Sequence, residues 1–424
     1  MSTLPFPAVA TAPGEAGAPS ASPASSASPA ASASSAASTP SAPLIVLLAA
    51  SAGLGAASLY YSQPILTPLA EDLHASTGGI GAVPMLTQLG YAAGILLLTP
   101  LGDRFDRRRV ILTKFVLLIA TLLMNGFAPG FAPFLVASAL LGLTATLAQD
   151  VVPMAATLSP AEHRGRVVGQ VMTGLLLGIL LSRVMSGVIA DLLGWRWVYG
   201  LAALALTIAG LASWRWLPSA PPAMRTTYGA LLRSLGGLWR AWPTLRRATI
   251  AQALLALAFS AFWSTLAVML HQRFGLSSSV SGAFGLAGAA GALAAPLAGR
   301  IADKRGPGVV TRLGALLVAL SFAAMSVTAW LDRGAAIAVL VVLAVVFDFG
   351  VQAALVAHQT IVYSLDAAAR SRLNALLFTG MFIGMASGAA LGSLLLSTFG
   401  WLGVTALATV ASVAALVVRL TADE

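Results

Sequence analysis

Apolar runs of about 20 residues, the length that spans a bilayer as a helix, recur along this chain between short polar breaks. They lie near 43–66, 78–101, 110–128, 131–153, 167–190, 196–217, 248–270, 275–298, 308–330, 334–358, 372–396 and 400–420. The runs are apolar all round, so no periodicity distinguishes helix from strand. Length decides, because barrel strands would be about half as long and would alternate. The pattern predicts an all-α membrane protein with about twelve transmembrane helices. The faintest separations are Asn125–Phe131 and the turn at Gly400.

Two of the polar breaks are copies of one another. Pro100-Leu101-Gly102-Asp103-Arg104-Phe105-Asp106-Arg107 follows the second run, and Gly299-Arg300-Ile301-Ala302-Asp303-Lys304-Arg305-Gly306 follows the eighth. A second repeat runs at a fixed offset of 206 residues, carrying Thr173-Gly174 and Gly178 onto Thr379-Gly380 and Gly384, and Gly194-Trp195 onto Gly400-Trp401. Near the same offset, the bases Arg164 and Arg166 precede the first copy and Arg370 and Arg372 the second. The repeat predicts two pseudo-symmetric six-helix halves, 43–217 and 248–420.

Bases fall mainly on one side. The loops after even-numbered runs hold Arg104, Arg107, Arg108, Arg109, Lys114, Arg164, Arg166, the arginines of 218–247, Arg300, Lys304, Arg305, Arg312, Arg370 and Arg372. The loops after odd-numbered runs hold only Arg196, Arg273 and Arg333. The positive-inside rule then puts both termini in the cytoplasm of a bacterial-type inner (plasma) membrane. The loop 218–247 is Pro-rich at first, then carries five arginines and no acid, and its segment 231–242 is expected to lie as a basic amphipathic helix on the anionic leaflet. Residues 1–42, almost wholly Ser, Ala and Pro, are expected to be a disordered tail, and 421–424 a cytoplasmic end.

Composition narrows the function. The chain is 58% hydrophobic and 9% charged, against about 25% charged for soluble domains. The net charge of +10 is explained by topology rather than by nucleic acid. With no cysteine and four scattered histidines there is no metal set, and neither of the two lysines stands in a phosphate-binding loop. No cofactor, metal or enzyme chemistry emerges.

The repeated loop resembles the G-x-L-A-D-R-x-G-R-R signature of the major facilitator superfamily. "PLGDR-DRR" and the segments Tyr60–Leu66 and Arg370–Asn374 are similar to bacterial drug- and sugar-efflux branches. The first copy departs at Thr99 and Asp106, where the family has glycines. The resemblance implies the major facilitator fold, and a gating role for Gly102, Asp103, Arg104, Arg107, Gly299, Asp303, Lys304 and Gly306. Asp103 is expected to accept from a neighbouring helix end while Arg104 and Arg107 bridge across the halves. The fourth-run arginine and the fifth-run G-x-x-x-G-P pattern of the family's antiporters are absent.

Charges inside apolar runs mark functional sites by default, because a charge at mid-bilayer costs about 3 kcal/mol. Asp348, Arg183, Asp150 and His358 are such groups, with Asp150 and His358 expected near enough the inner surface to reach water. Tyr60, Gln63, Gln352 and Asn374 are polar positions expected to line a cavity, as are Gln88, Tyr91, Gln252 and Trp263. Small-residue stripes at Gly90/Gly94, Gly174–Ser186, Gly282–Gly291 and Gly380–Gly392 let helices approach closely, and the resemblance implies that these four spans meet across the halves. The reading is a secondary active transporter, an exporter of small organic molecules by alternating access, with protons and membrane lipid as further partners and a monomeric state. An importer or facilitator is the alternative within transport, and a membrane-embedded sensor the alternative outside it.

Overall fold

The computed structural model describes residues 40–220, 227–366 and 369–421, so residues 1–39 of the tail, Arg225 of the basic loop and residues 422–424 lie outside the described residues. Among those residues every regular element is helical. The first run is α1 (Ala42–Ala57), a 3-10 turn (Gln63–Ile65) and α2 (Leu66–Asp72). It is not the continuous helix expected. Pro64 has no N–H to offer Tyr60 one turn earlier, and its ring crowds that carbonyl, so the helix opens over 58–62. Then come α3 (Ala82–Leu97), α4 (Leu101–Arg104), α5 (Arg107–Gly126), α6 (Phe131–Thr144), α7 (Ala148–Leu158), α8 (Arg164–Leu193) and α9 (Trp195–Trp216). The basic loop contains α10 (Tyr228–Ala241). It leads to α11 (Pro243–Phe274), α12 (Ser278–Ala283), α13 (Ala289–Arg305), α14 (Pro307–Met325), α15 (Arg333–Tyr363) and α16 (Arg370–Leu420).

Nine helical stretches among the described residues are long and apolar enough to cross a membrane. The longest, α16, contains Gly400 at φ 65°, ψ −157°, a conformation that glycine alone adopts readily, so two helices meet there as the sequence expects. Two further runs lie outside these nine because breaks divide them into shorter helices. One is the α1–α2 run; the other is α12 and α13, separated by a 3-10 segment at Phe284–Gly288 rich in glycine.

The glycine stripes pack differently from expectation. Gly384 and Gly388 face the backbone of Ala253 and Leu257 on α11, and Gly392 faces Ala261. Gly174 and Gly178 face Ala49 and Gly53 on α1, and Gly90 and Gly94 face Ala139 and Leu143 on α6. These stripes seat helices of the same half together. Across the halves, Gly187, just after the α8 stripe, lies on Ser278, and Gly282 and Gly285 lie on Arg183. The reason is that interhelical attraction in lipid comes from close van der Waals approach, which every buried helix pair needs.

Polar contacts between the helices of 43–217 and those of 248–420 gather at one end and at mid-depth. Asp191 accepts from the Ser278 and Ser279 amides at the start of α12, at 3.2 and 2.8 Å. Gln272 donates to Thr77 at 3.3 Å, and His271 lies 3.9 Å from Glu71. Deeper, Ser260 donates to Gln88 at 3.3 Å, and the Tyr91 and Phe382 rings meet at 4.4 Å.

Candidate functional site

The break in the first run turns Tyr60 and Gln63 inward, toward α8. There Arg183 is only 4% exposed. Its Nε donates to Gln63 Oε1 at 2.8 Å. Its guanidinium lies between two aromatic faces, 4.8 Å from the Tyr60 ring centroid and 4.5 Å from that of Trp263 on α11. Such stacking on desolvated rings stabilises a cation and holds its plane. Tyr60 and Trp263 belong to opposite halves, so the arginine joins them.

Asp348 on α15, 2% exposed, approaches the same place. Arg183 Nη1 and Asp348 Oδ2 lie 4.0 and 3.9 Å from where a Cβ on Gly288 would stand. The two charges therefore share the space left by one glycine in the 3-10 break. The ion pairs found among the described residues do not include them. Arg183 Nη2, Asp348 Oδ2, Gln63 Nε2 and Trp263 Nε1 are all buried without a hydrogen-bond partner. Buried polar atoms left unmet are costly in lipid-embedded protein, so a cluster of four marks a place built for something else. Phe347 and Phe259 form the adjoining wall, 6.5 and 6.2 Å from the Trp263 ring.

The other predicted residues form separate groups. Gln352 is half-buried one helical turn from Asp348. His358 is fully buried and its Nδ1 is 2.9 Å from Gln252 Oε1. Asn374 Oδ1 accepts from the Tyr363 hydroxyl at 2.9 Å and from Gln359 Nε2 at 3.3 Å. Asp150 is bonded to Lys114, and both are buried. This corrects three readings. Neither Asp150 nor His358 reaches water, and Lys114 is no loop base. Its Nζ also reaches the Thr146 carbonyl at 3.4 Å, which accepts from the Gln149 amide at 3.1 Å as well.

In the gating motif, Gly102 packs directly on the Asp150 carboxylate, an approach that leaves no room for a side chain. Asp103 pairs with Arg107 at 2.9 Å, and Arg107 reaches Thr157 at 3.4 Å. Arg104 stacks on Phe105 instead of bridging. The expected bridge across halves is thus replaced here by contacts inside the first half. Of the second copy, Gly299, Asp303 and Lys304 lie in α13, and Gly306, at φ 84°, ends it. Asp106, the departure from the signature, caps α5. It accepts from the Arg108 amide at 2.9 Å, the Ser219 hydroxyl at 2.6 Å and the Ala220 amide at 3.2 Å. Burial is the largest single influence and opposes ionisation, but these donors and the nearby Arg109 charge together hold its carboxyl below the usual range.

Sequence reasoning named most of the central residues but missed the roles of Trp263, Gly288 and Asp191. Trp263 read only as one polar position, and Asp191 stood too near a run's end to look embedded. The one usable signal was glycine density in 282–288.

The fold and site define a polytopic transporter with a charged, occluded centre between two helical sets. The family model for the Major Facilitator Superfamily matches residues 45–365, and the chain belongs to that superfamily. It is 39% identical over 365 residues to the uncharacterized transporter YgaY of Escherichia coli O157:H7, covering 86% of this chain and 91% of that one. It is 33% identical over 368 residues to a protein of Streptomyces coelicolor named a probable transporter, SCO4007, covering 86% and 84%. Its fold is like that of a bacterial homologue of the human lysosomal transporter Spinster, in an inward-facing, unoccupied conformation. The TM-score is 0.71 at 16% identity, covering 90% of this chain and 96% of that one. The protein is a multi-pass membrane transporter, of a superfamily whose members carry small molecules.

Proposed function

We propose that the chain is a secondary active exporter of a small organic molecule, working by alternating access as a monomer in a bacterial-type inner membrane, with Asp348 coupling export to proton entry. Dividing α16 at Gly400 and counting the two interrupted runs as one span each raises the nine long stretches to twelve. With both termini cytoplasmic, the base-poor end bearing Asp191, Thr77 and Gln272 is the outer one. Its cross-half contacts then close the outer gate, so the conformation is inward-facing. The observation that carries the reading is the unpaired Arg183 and Asp348, contributed by opposite halves and buried at the centre. Embedded charges without partners are the mark of a substrate or proton path. The protein carries no cofactor and catalyses no covalent change.

Proteoliposome flux tests this with a panel of radiolabelled sugars, amino acids and organic cations and anions, with and without an imposed pH gradient. At least one compound is expected to accumulate against its gradient only when the pH gradient is present. Asp348→Asn is expected to reduce that accumulation at least about 10-fold, the factor that 1.4 kcal/mol of lost coupling corresponds to. Wild-type transport indifferent to the gradient, or an Asn variant that still concentrates substrate, removes proton coupling at Asp348.

A further inference from the structure

We propose that the central site is built for a small zwitterion, a molecule with an anionic and a cationic group a few bonds apart, such as an α-amino acid. This rests on the transporter reading above and adds the substrate class.

The argument begins with what Arg183 has already committed. Gln63 Oε1 accepts the hydrogen bond from its Nε, and Tyr60 and Trp263 cover both faces of the guanidinium. What stays open is the Nη edge, whose Nη2 has no partner. That edge is a planar fork of N–H donors, the arrangement that matches a carboxylate with two parallel bonds. A lysine there would offer only a point charge.

Asp348 supplies the opposite demand. Its Oδ2 is buried without a donor and faces the same Gly288. A carboxylate is acceptor-only, so the group that completes it is an N–H or O–H donor, best a cationic one. The two side chains do not complete each other, although each lies 4 Å or less from one common point. The Gln63 bond and the two rings hold the guanidinium plane on α8, while Asp348 projects from α15. A side chain on Gly288 would begin in contact with both groups and take up space beside them.

Charge balance then selects among ligands. A purely anionic molecule would bond Arg183 and set a second negative charge beside Asp348. A purely cationic one would meet Asp348 and leave Arg183 uncompensated in a desolvated site. A neutral one would leave both charges half-met. A zwitterion matches both demands at once, and the wall of Trp263, Phe259 and Phe347 accepts an apolar substituent.

The test is counterflow in proteoliposomes, which needs no proton gradient. Three pools are compared on the full-length protein: radiolabelled L-amino acids, the same acids N-acetylated, and their methyl esters. Wild type is expected to exchange the free amino acids at least ten times faster than either blocked pool. Arg183→Gln is expected to lose that exchange. Asp348→Asn leaves the site with a net positive charge and is expected to reverse the preference, so that the N-acetyl pool outruns the free acids. A reversal of preference is a result no misfolded variant produces. Wild type that moves a blocked pool as fast as the free acids, or an Asp348→Asn variant whose preference stays unreversed, overturns the zwitterion assignment. The transporter reading survives those outcomes. If no pool moves but a sugar or organic ion of the flux panel does, the assignment falls and transport stands. If nothing moves, both fall.

Discussion

At the scale of single residues, the embedded charges divide into a satisfied pair and an unsatisfied one. Lys114 and Asp150 are bonded and buried, and Lys114 also reaches the Thr146 carbonyl at the interruption between α6 and α7. Arg183 and Asp348 are buried and unmet. The difference assigns structure to the first pair and substrate to the second. Lys114→Met is expected to destabilise the protein by about 3–5 kcal/mol, since it strands a buried carboxylate. Lys114→Met with Asp150→Leu removes both charges and is expected to regain most of that loss. Thermal unfolding in detergent compares the three proteins, and equal melting of single and double variants would show that the two residues are uncoupled. The sequence announced three of these charges, Asp150, Arg183 and Asp348, because charge in an apolar run is visible in one dimension. It did not announce the pairing. Lys114 stands only four residues inside its run and looked like a loop base until α7 was seen beside it.

At the scale of helices, run length gave the elements, but uniform hydrophobicity hid their interruptions. Pro64 was a visible breaker; the opening at 145–147 carries no Gly or Pro and is unreadable in sequence. The stripes were readable as close-packing faces, yet their partners were not. Gly384→Val tests the revised assignment. A branched side chain there would enter the Ala253 backbone of α11, so the expected loss is about 1–3 kcal/mol of stability, the range for overpacking. The same exchange at Gly299, which meets nothing within 4 Å, is expected to leave the melting temperature nearly unchanged apart from helix propensity. A second element-scale contact is the Asp106 cap, which ties α5 to the chain after α9. Its carboxyl is held low in the folded state, so its contribution is present above the ordinary carboxylate pKa of about 3.9 and fades as pH falls through the folded value. The gap in melting temperature between wild type and Asp106→Ala is therefore expected to be full at pH 7 and to shrink in acid below about pH 4. A gap that stays constant down to pH 3 would show that the charge is irrelevant to the cap.

At the scale of the whole molecule, the repeat was readable from two polar loops at matching places and pointed to two helical sets, while the meeting of Arg183 and Asp348 was not legible. What one dimension withheld was the state of the machine. The cross-half contacts gather at the end carrying Asp191, Thr77 and Gln272, while the motif pair Asp103–Arg107 closes within its own half. If that conformation is the inward-facing one, the motif's bases are idle there, and their bridging role belongs to the opposite state, in which the inner ends come together. That gives the gating prediction a sign. Asp103→Asn removes the negative charge that anchors the motif's bases, so it should weaken the outward-facing state, where those bases bridge, and raise the population seen here. The chain has no cysteine, so Ser278→Cys, buried at the outer seam beside Asp191, provides a single reporter. A membrane-impermeant maleimide should label it only when the outer gate opens. Adding Asp103→Asn is expected to slow labelling at least about 5-fold, the lower end of typical coupling between sites. The melting temperature should hold, since Asp103 and Arg107 are partly exposed. Faster labelling would mean that the motif locks the inward-facing state, and unchanged labelling would reduce it to a topology signal.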